Sequence, residues 1–399
     1  MALVELPRSE NPFMSGLTKH TEESTRPELW SEKDRQEQLL HFKIPEFISP
    51  YPFGDNKYVD TARKSTNDWL LEHGVDTLFS PEVFAKFVQA DFPGLTGKIY
   101  VDFGPQALDW TAKFYTWLFT LDDQLDDTAL GARRGSSVPV LIELQLVLLW
   151  NFPDDPVLND NLFKFLDEIP DSELRQKSLK LINNAVNKAK NYPGDNVYDG
   201  KLGPTASCLR DLWAACVRTM PEEFNLRLAI KIQDYFLGNL AEAKNREDET
   251  IPTIQEYTII RRQTGAVEPT MVIVDLFEDV CLPDELFYSP QMQQLLEAIS
   301  DIISWHNDLF SFKKEFSRGD VHNLVALVSH ERKHCSYEES ALIALEMIYD
   351  RMPDLEKAFV GLLAIAPPAY ENVVQRYIKT CRYWVSGTQA WHFACSRYK

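Results

Sequence analysis

Beyond residue 44, apolar positions recur every three to four residues along nearly the whole chain, the spacing of one buried face of an α-helix. The pattern predicts helices over roughly 61–73, 81–91, 105–124, 138–150, 159–168, 172–190, 205–218, 222–246, 254–263, 267–278, 289–316, 338–350, 352–365 and 368–395. Breaks are expected at Pro93-Gly94, Gly131, Pro153-Asp154, Pro193-Gly194, Pro252, Pro283 and Pro353, because proline removes a helix donor and glycine loosens the backbone. Asp199-Gly200 has no alternating β-branched run on either side, so a sheet has no material. No solenoid-length repeat recurs. Residues 1–44 are polar and proline-dotted and read as a flexible arm, leaving 45–399 as a single all-α domain, a helical bundle.

The 399 residues carry 60 acidic side chains against 41 Lys and Arg, a net charge of −19, which excludes a general nucleic-acid binder or a dock for anionic lipid. Aromatic residues make up 12%, enough to line a sizeable pocket. The six cysteines form no CxxC pair and suit a reducing compartment, so a cytoplasmic protein is expected. Glu5, Arg8 and Glu10 interrupt any signal-peptide core, and Glu143 and Gln145 interrupt the most apolar run, so neither a leader nor an integral membrane span is expected. Monomer and homodimer are equally open.

Two clusters stand out against this background. The apolar, aromatic run Phe114–Leu121 leads directly into Asp122-Asp123-Gln124-Leu125-Asp126-Asp127. Asp122 and Asp126, one helical turn apart, repel unless a cation lies between them, and Mg²⁺ accepts such carboxylates while keeping sites for water and phosphate oxygens. A solvated acidic helix end is the alternative reading. An EF-hand fails, because Asp127 occupies the position that requires glycine. Far downstream, Asn307, Ser311 and Glu315 fall at i, i+4 and i+8, so an amide, a hydroxyl and a carboxylate form one helical stripe of hard oxygen donors. An ordinary polar helix face explains that stripe alone, but two such clusters on separate helices argue for a shared metal.

Taken together, Asp122-Asp123-x-x-Asp126 and Asn307-Asp-x-x-Ser311-x-x-x-Glu315 resemble the two metal motifs of the class I terpene synthases, and most closely those of the fungal-type sesquiterpene cyclases. The resemblance runs from about Ile44 to Tyr398. It implies a helical bundle around a central apolar cavity, with three Mg²⁺ ions at the mouth holding the diphosphate of a prenyl substrate. Asp122 would bridge two of the ions with Asp126 helping through water, and Asn307, Ser311 and Glu315 would chelate the third. Arg261 resembles the family's diphosphate sensor, with Arg262 as its rival. Thr264 and Gly265 fall at its linker and effector positions, where a helix break turns a carbonyl toward the forming cation. Gly265 has the backbone freedom that such a break uses. Lys314, Arg397 and Tyr398 resemble the remaining diphosphate-binding groups, while Lys313 is expected in solvent.

A carbocation survives only in a dry cavity lined by electron-rich faces rather than nucleophiles. Phe119 shares the Asp122 face of its helix and Trp391 falls on an aromatic position of the family, so both are expected to line the cavity. Tyr115 and Trp384 read equally well as core or lining, and Trp117 and Trp305 as core. His306 and His322 are expected to be structural. A chain-elongating prenyltransferase would carry a second aspartate-rich motif in place of Asn307–Glu315, and a protonation-triggered cyclase would not have Gln124 two residues before Asp126. The expected activity is ionisation and cyclisation of farnesyl diphosphate to a sesquiterpene hydrocarbon or alcohol. A diterpene synthase acting on geranylgeranyl diphosphate and a non-catalytic helical scaffold are the alternatives.

Overall fold

The computed structural model describes residues 32–126, 134–149, 152–169, 172–191, 202–333 and 335–398. Their regular structure is helical throughout: α1 (Glu32–His41), α2 (Val59–Glu72), α3 (Pro81–Gln89), α4 (Phe92–Ile99), α5 (Pro105–Asp126), α6 (Arg134–Leu149), α7 (Pro156–Asp167), α8 (Ser172–Asn191) and α9 (Pro204–Thr219) form the first half. The second half comprises α10 (Glu222–Glu247), α11 (Ile254–Thr264), α12 (Val267–Val272), α13 (Asp284–Phe287), α14 (Pro290–Ser317), α15 (Leu324–Glu331), α16 (Tyr337–Ile365) and α17 (Glu371–Ala394). Gly131, Pro193-Gly194 and Asp199-Gly200 lie outside the described residues.

The helices start where local chemistry supplies the missing acceptors for their first N–H groups. Ser289 accepts from the Met292 N–H ahead of α14, with Pro290 already inside the first turn. Thr253 and Glu256 close a reciprocal capping box on α11, and Ser336 and Glu339 do so on α16. The same rule explains why Pro93-Gly94, expected as a break, opens α4 instead. Asp91 accepts from the Gly94 N–H, and a proline in the first turn forfeits no hydrogen bond. Pro353 likewise fails to divide α16, which runs unbroken from Tyr337 to Ile365. Pro353 lies on the exposed side of the helix, where the carbonyl that loses its donor can turn to water.

Residues 32–41, assigned from the sequence to the flexible arm, form α1. Leu39 is buried, and Phe42 just beyond the helix packs 4.9 Å from Phe312 of α14. The apolar positions there are too few to make a stripe, which is why periodicity alone passed over them. α15 was also unexpected; Leu324–Ser329 is buried on every side and so shows no amphipathic signal.

α14 is the spine of the bundle. From Ala298 to Phe312 it is buried nearly all round, flanked by α11, α12, α15, α16 and α17. α5 is the second central helix, packed against α2, α4 and α9. The last helix, α17, crosses α4 at Gly387, where an added Cβ would lie 3.0 Å from backbone atoms of Lys98. That contact cannot yield without separating the helices. Gly387→Ala should therefore cost roughly 2 kcal/mol of stability by overpacking, read as a lower melting temperature with unchanged helical circular dichroism.

Candidate active site

A cavity of about 150 Å³ opens between α5, α10, the α11–α12 junction, α14 and α17. Its floor is aromatic and aliphatic, including Leu118, Phe119, Ile303, Trp384 and Trp391, and its rim is charged. Asp122 and Asn307 both line it, so the two oxygen-donor motifs meet at one opening.

The two motifs are joined by consecutive residues. Arg397 donates from Nη1 to Asp123 Oδ2 at 2.8 Å, and from Nη2 to Asp123 Oδ1 at 2.7 Å and Asp122 Oδ2 at 3.2 Å. Asn307 Nδ2 donates to the Tyr398 hydroxyl at 2.8 Å. Lys314 Nζ stands 4.0 Å from Asp123, while Lys313 is exposed. Enclosure by protein raises the Asp122 carboxyl, and Arg397 offsets this only partly. Burial acts the same way on Asp123, but there the two-pronged Arg397 contact prevails and holds the carboxyl below its ordinary range. Asp126 ends α5, and its side chain lies outside the described residues.

On α14, Asn307, Ser311 and Glu315 all face the cavity. Burial and the nearby Asp308 and Asp320 push the Glu315 carboxyl up to about 7. Asn323 supports this stripe, with its Nδ2 3.0 Å from Glu315 Oε2 and 3.4 Å from Ser311 Oγ, while its own Oδ1 caps α15. An amide oxygen, a hydroxyl and a carboxyl crowded by two further carboxylates fit a hard divalent cation. Among the described residues no group of three or more His, Cys, Asp or Glu converges as a metal site.

The sequence left Arg261 and Arg262 as rivals, and they point different ways. Arg261 donates from Nε to Asp308 Oδ1 at 3.1 Å and from Nη2 to Asn307 Oδ1 at 3.0 Å, at the cavity rim. Arg262 grips Asp301 with Nε at 2.7 Å and Nη2 at 2.9 Å, away from the cavity. Asp308, silent in the sequence reading, is the hub behind Arg261. It is 1% exposed and accepts from the Tyr257 hydroxyl and the Leu324 N–H as well. Nothing in its spacing marks it, because its partners come from distant helices. Asn323 could have been found as an N-cap before an apolar run.

The helix break is present, with its roles redistributed. Gly265 is right-handed at φ −66°, and Ala266 takes the left-handed turn at φ 52°. The expectation that Gly265 supplies backbone freedom is therefore corrected: an added Cβ would sit 2.3 Å from Ser304 Oγ, so glycine is required for close approach. Thr264 donates to Glu242 Oε1 at 3.3 Å.

Among the aromatics, Phe119 stacks on Phe92 at 4.1 Å, with the Arg397 guanidinium 5.2 Å from its centroid. Trp391 anchors its ring edge by donating to Ala90 O at 2.8 Å. Tyr115 and Trp384 both line the cavity, and the Tyr115 hydroxyl is taken up by Tyr100 at 3.1 Å. Trp117 and Trp305 are core. His306 meets His392 Nδ1 to Nδ1 at 2.9 Å, and burial pushes His306 down to about 3, so the pair stays neutral beside Asn307. His322 stands 3.4 Å from Asp320 at the rim.

Residues 161–354 match the sequence model of terpene synthase family 2, C-terminal metal binding. Alpha-gurjunene synthase of Marchantia polymorpha is 32% identical over 94% of this chain and 90% of its own length. This chain is a class I terpene synthase. As such it is a terpene cyclase, a carbon–oxygen lyase of a family that uses divalent metal. The 4-epi-cubebol synthase ((2E,6E)-farnesyl diphosphate cyclizing) of Streptosporangium roseum is 24% identical over 89% of this chain and 92% of its own length. Germacradien-4-ol synthase from Streptomyces citricolor has the same fold, with a TM-score of 0.64 at 20% identity, covering 88% of this chain and 98% of that one. Fungal synthases are matched as well, among them sesquiterpene synthase 3 of Postia placenta at 24% identity and alpha-muurolene synthase of Coprinopsis cinerea at 23%. No helix among the described residues is long and apolar enough to cross a membrane.

The two arginines of the synthase should separate experimentally. Arg262→Ala should cost about 2 kcal/mol of stability, since Arg351 still pairs Asp301, and keep the rise in melting temperature on adding Mg²⁺ with inorganic pyrophosphate. Arg261→Ala should lose that rise.

Proposed function

We propose that this synthase binds farnesyl diphosphate with Mg²⁺, ionises it, and cyclises the resulting cation to a sesquiterpene, releasing diphosphate. The observation that carries the reading is the bridge from Asp122–Asp123 through Arg397 and Tyr398 to Asn307, set above an aromatic cavity. Acidic and basic groups there satisfy one another in the absence of substrate. A diphosphate would take over the arginines, and Mg²⁺ would take over the carboxylates.

In this reading Asn307, Ser311 and Glu315 would hold one metal ion, and Asp122, with Asp126 assisting, would hold the others. When bound, the three Mg²⁺ ions neutralise the leaving diphosphate so that the allylic C–O bond can break. Arg261, Lys314, Arg397 and Tyr398 orient the phosphate oxygens, Arg397 through two parallel N–H donors. Arg261 is aimed by Asp308, and the 264–266 turn beside it lines the cavity. Phe119, Tyr115, Trp384 and Trp391 offer ring faces and edges rather than nucleophiles, and a cation over such a face gains about 2 kcal/mol once desolvated. Folding of the isoprenoid chain by the cavity wall brings reacting carbons together, which is the largest entropic part of the catalysis.

The C15 substrate is supported by the relatives, two of which are named for farnesyl diphosphate cyclisation. Incubation with C10, C15 and C20 diphosphates and Mg²⁺, followed by gas chromatography–mass spectrometry, should give cyclic product from the C15 substrate. Main product from the C20 substrate would overturn the assignment. Asp122→Asn and Asn307→Ala should each lower turnover by at least about a hundredfold with the circular dichroism spectrum unchanged. Full activity in either would remove that residue from the metal site.

A further inference from the structure

Two hydroxyls in the cavity have nothing to bond to. Ser304 Oγ and Thr388 Oγ1 are buried, at 3% and 4% residue exposure, both line the cavity, and neither has a hydrogen-bond partner. Helical serines and threonines ordinarily return their proton to the carbonyl four residues back. Thr116 does so to Ala112 at 2.7 Å, Thr120 to Thr116 at 2.8 Å, and Ser178 to Leu174 at 2.7 Å. Ser304 and Thr388 do not; Thr66, Thr111 and Ser300 are likewise unpaired, but among the described residues Ser304 and Thr388 are the unpaired helical hydroxyls that line the cavity. An unpaired buried hydroxyl costs about 1–3 kcal/mol, so a cavity built only for hydrocarbon would place alanine and valine there.

Their height in the cavity decides what they meet. Ser304 lies three residues before Asn307 on α14, about 4.5 Å deeper than that rim residue at 1.5 Å per residue. Thr388 lies one turn of α17 below His392, on the side away from Arg397. Both therefore stand at the level of the isoprenoid chain, beneath the diphosphate groups. Hydrocarbon offers them neither donor nor acceptor, whereas water does both. A buried water needs two to four polar partners, and two hydroxyls supply the minimum.

We propose that Ser304 and Thr388 hold a water molecule in the cavity and that this water captures the final carbocation, making the product a terpene alcohol. The inference rests on the cyclase reading above and adds the fate of its last cation. A lone pair of the water oxygen forms the new C–O bond, and the oxonium proton passes to the released diphosphate. No electrons are gained or lost, and no other reactant is needed.

The test is incubation of the enzyme with farnesyl diphosphate and Mg²⁺ in oxygen-18 water, with products resolved by gas chromatography–mass spectrometry and pyrophosphate release measured in parallel. The expected wild-type product is an alcohol carrying the heavy isotope. Ser304→Ala and Thr388→Val should each lower the ratio of alcohol to hydrocarbon about three- to tenfold, the worth of one hydrogen bond to the water. Thr388→Ser should restore it. The ratio is internal to each reaction, so changes of rate cancel. A wild type that makes only hydrocarbon, or variants that keep the wild-type ratio, would overturn the proposal while leaving the cyclase reading intact. Absence of pyrophosphate release from the wild type would overturn both.

Discussion

The constraint that organises this molecule is the need to concentrate charge of both signs at the rim of a cavity with an aromatic floor. A chain of net charge −19 has no general positive field to attract an anion, so attraction must be local. The fold meets this by seating Arg397 on Asp122 and Asp123, and Arg261 on Asp308 and Asn307, at the rim of an aromatic cavity. Each charge is balanced by a partner while the site awaits its ligand. The helices themselves remain indifferent to these pairs; their positions follow from apolar packing around α14.

Much of this was written in the primary structure, and what escaped shows where local reading ends. Helical spacing alone placed α5 and α14, because each presents a long periodic face. The two oxygen-donor motifs were visible because their spacing repeats the helical turn. Asp308 was not visible, since its meaning depends on Tyr257, Arg261 and Leu324, which reach it only in three dimensions. The choice between Arg261 and Arg262 was invisible for the same reason: consecutive helical residues differ by about 100° in direction, and only the neighbours say which direction leads inward. Proline was misread at Pro93 and Pro353, where an N-terminal first turn and a solvent-facing helix side removed the penalty that usually ends a helix. Gly265 was noted for the wrong property, since its missing side chain matters more than its torsional freedom.

The interior shows a second division of labour. Rings with bonded or absent polar atoms form the surface that would face a cation, as when Tyr115 commits its hydroxyl to Tyr100 and Trp391 its N–H to Ala90. Such commitments leave the π-faces available and take the heteroatoms out of play. Against that background Ser304 and Thr388 are exceptions in kind, and their placement below the charged rim gives the exception a chemical direction.

α14 carries the oxygen donors, the cavity wall and Ser304 on a single uninterrupted rod of 28 residues. Any tilt or rotation of that rod to reshape the hydrocarbon chamber would also carry Asn307, Ser311 and Glu315 out of register with Asp122. The shape of the cavity is thereby altered more readily through single side chains than through the position of the helix as a whole.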